Sequence, residues 1–294
     1  MNMIDLHTHS TASDGTMSPS ELMNYASSKG ISVIALTDHD TTAGLAEASH
    51  EAKKLGMTFV PGIEISVEWP TGEFHLLGLG LTHSSQELKD TILNLRQERK
   101  NRNRKMAEKL QENGVDISYE EVFERYGTEN IGRPHFASLM AEKGIVRHRQ
   151  QAFDVYFASG RPCYIPRIGV ELDKAVQAIK TSGGIPVQAH PLSMYVSWGK
   201  MEETMRDIRS KGVAGLEAWH SAIRVGQAQR LEKLARDLDM IVTGGSDFHG
   251  EKVRADRHIG YTAGKKPIQD RFWEEELKPA LIKTHGSGVL DFIG

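Results

Sequence analysis

Histidines and carboxylates recur in close pairs along this chain: His7 and His9 around Thr8, Asp38 and Asp40 around His39, Asp247 and His249 around Phe248. Single ones follow: Glu64, His75 and His190 stand next to apolar runs, and Asp14 lies a few residues after His9. In an extended backbone, residues i and i+2 face the same way, so His7/His9 and Asp247/His249 can each present two ligands to one side. Imidazole plus carboxylate, with no thiolate, suits zinc, manganese or iron better than a soft-metal or cluster site. His7, His9, Asp14, His39, Glu64, His75, His190, Asp247 and His249 make nine candidate ligands, too many for one ion and enough for two or three. Adjacent ions polarise a phosphoryl oxygen and lower the pKa of bound water to about 7, which yields a nucleophile at neutral pH. A single His-x-His pair is a weak signal, and a lone strand-end Asp is more often a helix cap. Asp38 and Asp40 fit caps, or partners that orient His39. His50, His83, His148 and His285 lie in polar surroundings and read as ordinary surface residues.

The elements that must position these groups alternate. Met3–Leu6 reads as a first strand, and Ser18-Pro19-Ser20-Glu21 as a capping box with proline at the first helical position. That helix is expected to stop at Gly30. Strands follow at 31–36, 58–63 and 74–81, the last reached through a turn at Pro70-Thr71-Gly72, with a helix from about Thr42 to Gly56. From about Ser85 to Tyr164 no strand is evident. One long charged helix over 85–113, a second capping box at Ser118–Glu121, and helices over 134–143 and 149–158 are expected there. The alternation then resumes, with strands at 185–189, 213–219 and 240–244 and helices at 171–181, 201–211 and 225–238. Strands alternating with helices argue for parallel βαβ units. Seven strands favour a closed or nearly closed barrel. Most candidate ligands fall at strand C-terminal ends, the face on which parallel barrels build active sites.

Composition bounds the rest. The chain has 294 residues, a net charge of −3 and one cysteine, Cys163. That excludes an intrachain disulfide framework, a cysteine-built zinc finger and a polycation made for bulk nucleic-acid binding. No apolar run approaches the roughly 20 residues of a membrane helix, and the first ten residues do not read as a signal peptide, so a cytoplasmic protein is expected. No obligate protein partner is evident.

The quoted residues resemble the PHP family, named for polymerase and histidinol phosphatase. The pieces are D-L-H-T-H-S (5–10), S-D-G (13–15), T-D-H-D (37–40), P-G-I-E-I-S (61–66), H-L-L-G (75–78), A-H-P (189–191) and G-S-D-F-H (245–249), in the family's order. The resemblance implies an α/β fold, a distorted (βα)7 barrel with an all-helical insertion: barrel 1–84, insertion 85–165, barrel 166–294. It implies that His7, His9 and Asp247 hold one ion, that Glu64 bridges to a second completed by His75 and His190, and that Asp14, His39 and His249 hold a third. Some members have His where this chain has Asp14, which leaves manganese, zinc, iron and magnesium all open, with manganese favoured. The attacking group would be a metal-bridging hydroxide. The general acid is not assigned.

The insertion resembles that of small bacterial PHP phosphoesterases, the nucleoside 3′,5′-bisphosphate phosphatases and ribonuclease AM. The matching pieces are the basic helix from Glu98-Arg99 to Lys105, the motif G-R-P-H-F-A (132–137), and S-G-R-P (159–162) with Y-I-P (164–166). Residues 96, 99, 100, 102, 104 and 105 are all Lys or Arg. A charge run is often only a solvated face. Arg99 and Arg102, one turn apart, and Arg133 and His135, ahead of a helix, are the candidates to bind substrate phosphate, since guanidinium grips phosphate oxygens in pairs and helix N-termini favour anions. The expected activity is hydrolysis of phosphate esters of small nucleotides, such as adenosine 3′,5′-bisphosphate, with 5′-to-3′ removal of nucleotides from short RNA or DNA. Histidinol phosphate phosphatase is the alternative within the same chemistry. A non-catalytic metal-binding scaffold is the alternative outside it. Trp69, Trp198 and Trp219 read as core or base-stacking aromatics, His220 as a possible substrate contact but not a ligand, and Cys163 as structural.

Overall fold

The computed structural model describes residues 3–127, 131–166, 169–251, 253 and 257–290. The strands are β1 (Met3–Asp5), β2 (Ile31–Leu36), β3 (Thr58–Val67), β4 (Phe74–Leu79), β5 (Ile185–Gln188), β6 (Gly215–His220) and β7 (Ile241–Gly245). The helices are α1 (Pro19–Ser28), α2 (Leu45–Lys54), α3 (Gln86–Glu112), α4 (Tyr119–Tyr126), α5 (Arg133–Glu142), α6 (Arg149–Ala152), α7 (Leu172–Thr181), α8 (Met201–Ser210), α9 (Val225–Asp237) and α10 (Lys278–His285). The chain divides into two compact units, Met1–Ile92 with Gly169–Gly294, and Leu93–Ile168.

In the first unit the seven strands lie side by side in chain order. β1, β2 and β3 are mutually parallel, as are β5, β6 and β7. β4 departs from the expected parallel rhythm, running antiparallel to both β3 and β5. The reason is the short turn between β3 and β4, which leaves no length for a crossover and forces a hairpin. The reversal matters for chemistry, because it puts the start of β4, and His75 with it, on the face where the parallel strands end. The sheet nearly closes: beyond β1 and β7, Thr8 and Phe248 form a parallel bridge, and Asp247 N–H donates to His7 O at 2.9 Å.

The helices of this unit form as their caps dictate. Ser18 Oγ accepts from Glu21 N–H at 3.2 Å and Glu21 Oε2 accepts from Ser18 N–H at 2.7 Å, so both halves of the capping box are made. Leu22, Met23 and Ala26 give α1 one apolar face, packed with Ile34 and Leu36 of β2 and Ala48 and Ala52 of α2. Leu22 is fully buried, and truncating such a leucine to alanine costs about 2–5 kcal/mol. The chain leaves α1 through Gly30 at φ 79°, a left-handed turn that glycine adopts without strain. α2 begins at Leu45 behind Gly44, three residues later than the sequence suggests.

The second unit, Leu93–Ile168, contains only helices among its described residues, and has its own core of Met106, Leu110, Val122, Phe136, Met140, Phe157 and Cys163. Ser118 Oγ caps α4 by accepting from Glu121 N–H at 3.0 Å. The expected return bond is replaced, because the Glu121 carboxylate takes Lys143 Nζ at 2.8 Å. The helix expected over 149–158 loosens after α6 into a π turn over Phe153–Phe157.

Candidate metal centre

All nine candidate ligands lie in the first unit, and the strand ends bring them together. Glu64 is the hub. It lies within β3 and is fully buried, where the chain after β2 pairs with β3 through a His39–Glu64 bridge. Its Oε1 is 2.9 Å from His75 Nδ1 and 2.9 Å from His190 Nε2. Its Oε2 is 2.8 Å from His39 Nδ1, 3.3 Å from His9 Nε2 and 3.4 Å from His7 Nε2. Asp247 Oδ1 faces His9 Nε2 at 3.2 Å, His249 Nδ1 at 3.4 Å and His7 Nε2 at 3.5 Å. Asp14 Oδ1 stands 3.1 Å from His249 Nε2 and 4.0 Å from His39 Nε2.

These groups suit cations better than one another. His7 Nε2 and His9 Nε2 point at each other at 3.1 Å. Glu64 Oε2, His9 Nδ1 and His39 Nδ1 are buried without an aligned hydrogen bond, although nitrogens crowd Oε2. Donor atoms bound at 2.0–2.2 Å to a tetrahedral ion lie about 3.4 Å from each other, which is the spacing found here. Three overlapping sets could each hold an ion: His7, His9, Glu64 and Asp247; His9, Asp14, His39 and His249; and His39, Glu64 and His75. The second set includes His9 beside the three residues expected, and the third draws in His39. His190 reaches the centre through Glu64.

Electrostatics keeps His9, His75, Glu64 and Asp14 in usable forms. Burial drives the His9 imidazole well below its ordinary pKa, reinforced by His249 and His39, so it is neutral. Burial likewise takes His75 to about 4 against the pull of Glu64. Burial alone would neutralise Glu64 and Asp14. The imidazoles of His39, His75 and His7 around Glu64, and of His249 and His39 around Asp14, outweigh it and hold both carboxyls well below the usual range. Both are therefore ionised.

Three supporting residues were not singled out from the sequence. Glu217 of β6 is fully buried; its Oε1 accepts from His7 Nδ1 at 2.9 Å and its Oε2 from His190 N–H at 2.8 Å. It thereby fixes the His7 ring with Nε2 facing inward. Burial would lower the His7 pKa, but Glu217 and Glu64 outweigh it and raise it to about 10. Gly245 makes room for this contact, since a Cβ there would overlap both His7 Cβ and Glu217 Oε1. The readable signal was a lone acid inside the apolar run G-L-E-A-W-H. Asp5 accepts from Ser246 N–H and Oγ–H and from Gly260 N–H, fixing the segment that carries Asp247. Arg257 holds Asp247 through Oδ2 and through its backbone oxygen; nothing in the polar stretch around it announces that role.

Neither Asp38 nor Asp40 caps α2, whose N-cap is Gly44. Asp38 accepts from Ser10 N–H, Ser10 Oγ–H and Ser13 Oγ–H, tying down the loop that carries Asp14. Asp40 accepts from Ser66 N–H and Oγ–H. Asp40, His190 and Asp247 have φ values of 51°, 28° and 53°. Such backbone costs about 1–3 kcal/mol per residue and persists where surrounding bonds enforce it, as these do for Asp40 and Asp247. Trp219 is a packing residue, its Nε1–H donating to Glu232 at 2.5 Å, and Trp198 lies under Arg230.

Arg99, Arg102, Arg133 and His135 belong to the second unit, where α3 runs beside the start of α5. Asn103 Nδ2–H donates to Ile131 O at 2.6 Å, and Arg99 lies close to Gly132. His135 Nδ1 accepts from Gly132 N–H at 3.0 Å, so it caps α5 and leaves its proton on Nε2. Arg133 donates to Phe157 O at 3.4 Å and lies over the Tyr164 ring. Arg102 is buried and donates to Asn103 Oδ1 at 3.1 Å. Cys163 is buried in the helical core, which pushes its thiol pKa up.

Residues 5–143 match the PHP domain. The chain is 31% identical over 276 residues to a 3′,5′-nucleoside bisphosphate phosphatase of Chromobacterium violaceum, covering 94% of this chain and 96% of that protein. It is 31% identical over 245 residues to a 5′-3′ exoribonuclease of Haemophilus influenzae, covering 83% and 89%. A solved structure described as a metal-dependent phosphoesterase of Bifidobacterium adolescentis superposes with a TM-score of 0.82 at 30% identity, covering 93% of this chain and 95% of that one. With relatives this similar along nearly the whole chain, and a buried His/Asp/Glu cluster at the strand ends, the chain belongs to the PHP family of metal-dependent phosphoesterases and is a hydrolase of phosphate esters.

Proposed function

We propose that this enzyme hydrolyses phosphate esters of small nucleotides, 3′,5′-bisphosphates first and short RNA or DNA from the 5′ end second. The observation that carries this reading is the near full-length similarity to a phosphatase of nucleoside bisphosphates, joined by similarity to an exoribonuclease. In this reading His7, His9, Asp14, His39, Glu64, His75, His190, Asp247 and His249 hold two or three divalent ions, manganese first among them. When bound, the ions would supply positive charge for the phosphoryl oxygens and acidify water. Water's oxygen forms the new bond to phosphorus, the ester P–O bond breaks, and the leaving oxygen takes a proton. Arg99, Arg102, Arg133 and His135 bind the substrate's phosphates, through guanidinium forks and the Nε2–H that capping leaves on His135. The layout is a barrel over 1–84 and 166–294 interrupted by a helical insertion over 85–165. Among the described residues no helix is long and apolar enough to cross a membrane, and we assign the enzyme to the cytoplasm, where a single buried thiol stays reduced.

The test is phosphate release by the manganese-loaded protein from adenosine 3′,5′-bisphosphate, histidinol phosphate and a short 5′-phosphorylated RNA. The expected result is a kcat/KM for the bisphosphate or the RNA at least about tenfold above that for histidinol phosphate, the factor given by one extra charge-assisted contact. A preference for histidinol phosphate overturns the substrate class and keeps the chemistry.

A further inference from the structure

His220 closes β6 beside the cluster, yet it belongs to none of the three sets that could hold an ion. It is 2% exposed. Its ring centroid lies 5.5 Å from that of His190 and 6.5 Å from that of His7. Regular alternation along a strand would put Glu217 and His220 on opposite faces. A bulge prevents this: Glu217 pairs with Thr243, but Trp219 pairs with Gly244 and His220 with Gly245, so β6 spends two residues where β7 spends one. Bulges of this kind re-aim a side chain, often beside an active site. Here the bulge brings Glu217 and His220 to the same face.

The proton on His220 is fixed by its neighbour. Ala222 N–H donates to Nδ1 at 3.2 Å, so Nδ1 is the acceptor and the neutral ring carries hydrogen on Nε2. Ligation through Nε2 would move that hydrogen to Nδ1 and set two N–H groups against each other. An imidazolium would do the same. Nε2–H is thus a donor, and it is buried without a partner. Asp247 Oδ2, at 3.6 Å, lies beyond hydrogen-bond reach and is already held by Arg257. Asp247 therefore has two sides: Oδ1 toward the ligand nitrogens, and Oδ2 toward Arg257 and His220. An unpaired buried donor costs about 1–3 kcal/mol, a cost recovered when a reacting group brings an acceptor.

We propose that His220 is a catalytic residue of this phosphoesterase: its Nε2–H, locked in that tautomer by Ala222 N–H and turned inward by the bulge in β6, donates a hydrogen bond to a non-bridging oxygen of the scissile phosphate. The ring neither gains nor loses a proton during the reaction. It is a preorganised dipole aimed where negative charge grows in the transition state. The inference rests on the His/Asp/Glu cluster being the reaction centre and does not depend on which ester is cleaved.

The experiment compares His220→Ala, His220→Gln and the parent enzyme, all manganese-loaded, with p-nitrophenyl phosphate and with adenosine 3′,5′-bisphosphate. Removing one such donor should lower kcat about 10²- to 10³-fold, with unchanged metal content and weaker binding of inorganic phosphate by calorimetry. His220→Gln, whose amide nitrogen stands near the place of Nε2, should recover a substantial part of kcat. Long-range 1H–15N spectra of the intact metal-free protein should show the His220 proton on Nε2, a readout that holds even where the alanine variant folds poorly. Loss of a bound ion in His220→Ala, unchanged kcat, or a proton on Nδ1 would each overturn the proposal. Turnover that survives both Asp247→Ala and His249→Ala would instead overturn the reading of the cluster.

Discussion

The cluster at the strand ends and the basic group of the helical unit are both polar constellations, built in opposite ways. At the cluster the ligands come from β3, β4 and the segments after β1, β2, β5 and β7, and nearly every polar atom faces another candidate ligand. Most of its members are buried, and neighbours set one another's ionisation: Glu64 stays ionised because of His39, His75 and His7. In the helical unit, the basic residues come from two neighbouring stretches of helix, and several have partners within their own unit. Arg104 pairs with Glu120 and lies over Tyr119; Arg133 lies over Tyr164; His135 caps its own helix. A mutually dependent buried set does chemistry and fails as a whole. A set of separately supported cations supplies binding energy in increments, so its members can be lost one at a time.

The largest effect should follow from breaking the cluster. Asp247→Ala or His249→Ala should abolish turnover while circular dichroism and the thermal transition of the metal-free protein stay close to those of the parent. Measurable turnover in either variant would contradict the comparison. Glu217→Gln should act next most strongly. It keeps the size of the side chain but loses the charge that orients His7, and support of this kind is worth about 10- to 100-fold in metal affinity, read by calorimetric titration. Glu217→Gln should also flatten the pH dependence of the metal-free protein. His7, raised to about 10 in the folded state from 6.5, contributes stability that is fully present below pH 6.5 and is lost as pH rises toward 10. Without the Glu217 charge that window narrows, which thermal melts across pH 6 to 10 would show. Smallest is the helical side: Arg99→Ala or Arg133→Ala should raise KM for a nucleotide bisphosphate about tenfold, the worth of one charge-assisted contact, with kcat nearly retained. A collapse of kcat in either variant would place these arginines in the chemistry and erase the contrast.

The same contrast governs what could be read before the structure. Most of the ligands were legible because they stand at or just beyond the edge of an apolar strand, and parallel strands converge at their C-terminal ends. His75 fitted the pattern for a reason the spacing concealed: it starts its strand, and only the antiparallel course of β4 puts that start on the right face. Glu217 carried a signal, an acid within an apolar strand, but its partners lie 210 residues back at His7 and 27 back at His190. The bulge that turns His220 inward has no mark in G-L-E-A-W-H, because it is a property of how β6 pairs with β7. Arg257 is an arginine in a polar loop, and its burial against Asp247 comes from tertiary packing. Asp38 and Asp40 looked like caps because Asp before a helix usually is one; here Ser10, Ser13 and Ser66 offered three hydroxyls and two backbone N–H groups at the right distance, and loop anchoring won.

The most direct test of the central claim is to strip the protein of metal with a chelator, then measure bound manganese and phosphate release from adenosine 3′,5′-bisphosphate as the ion is returned. The account predicts no turnover in the stripped protein and two or three ions regained in parallel with activity. Full turnover without bound metal, or metal regained equally by Asp247→Ala, would contradict it.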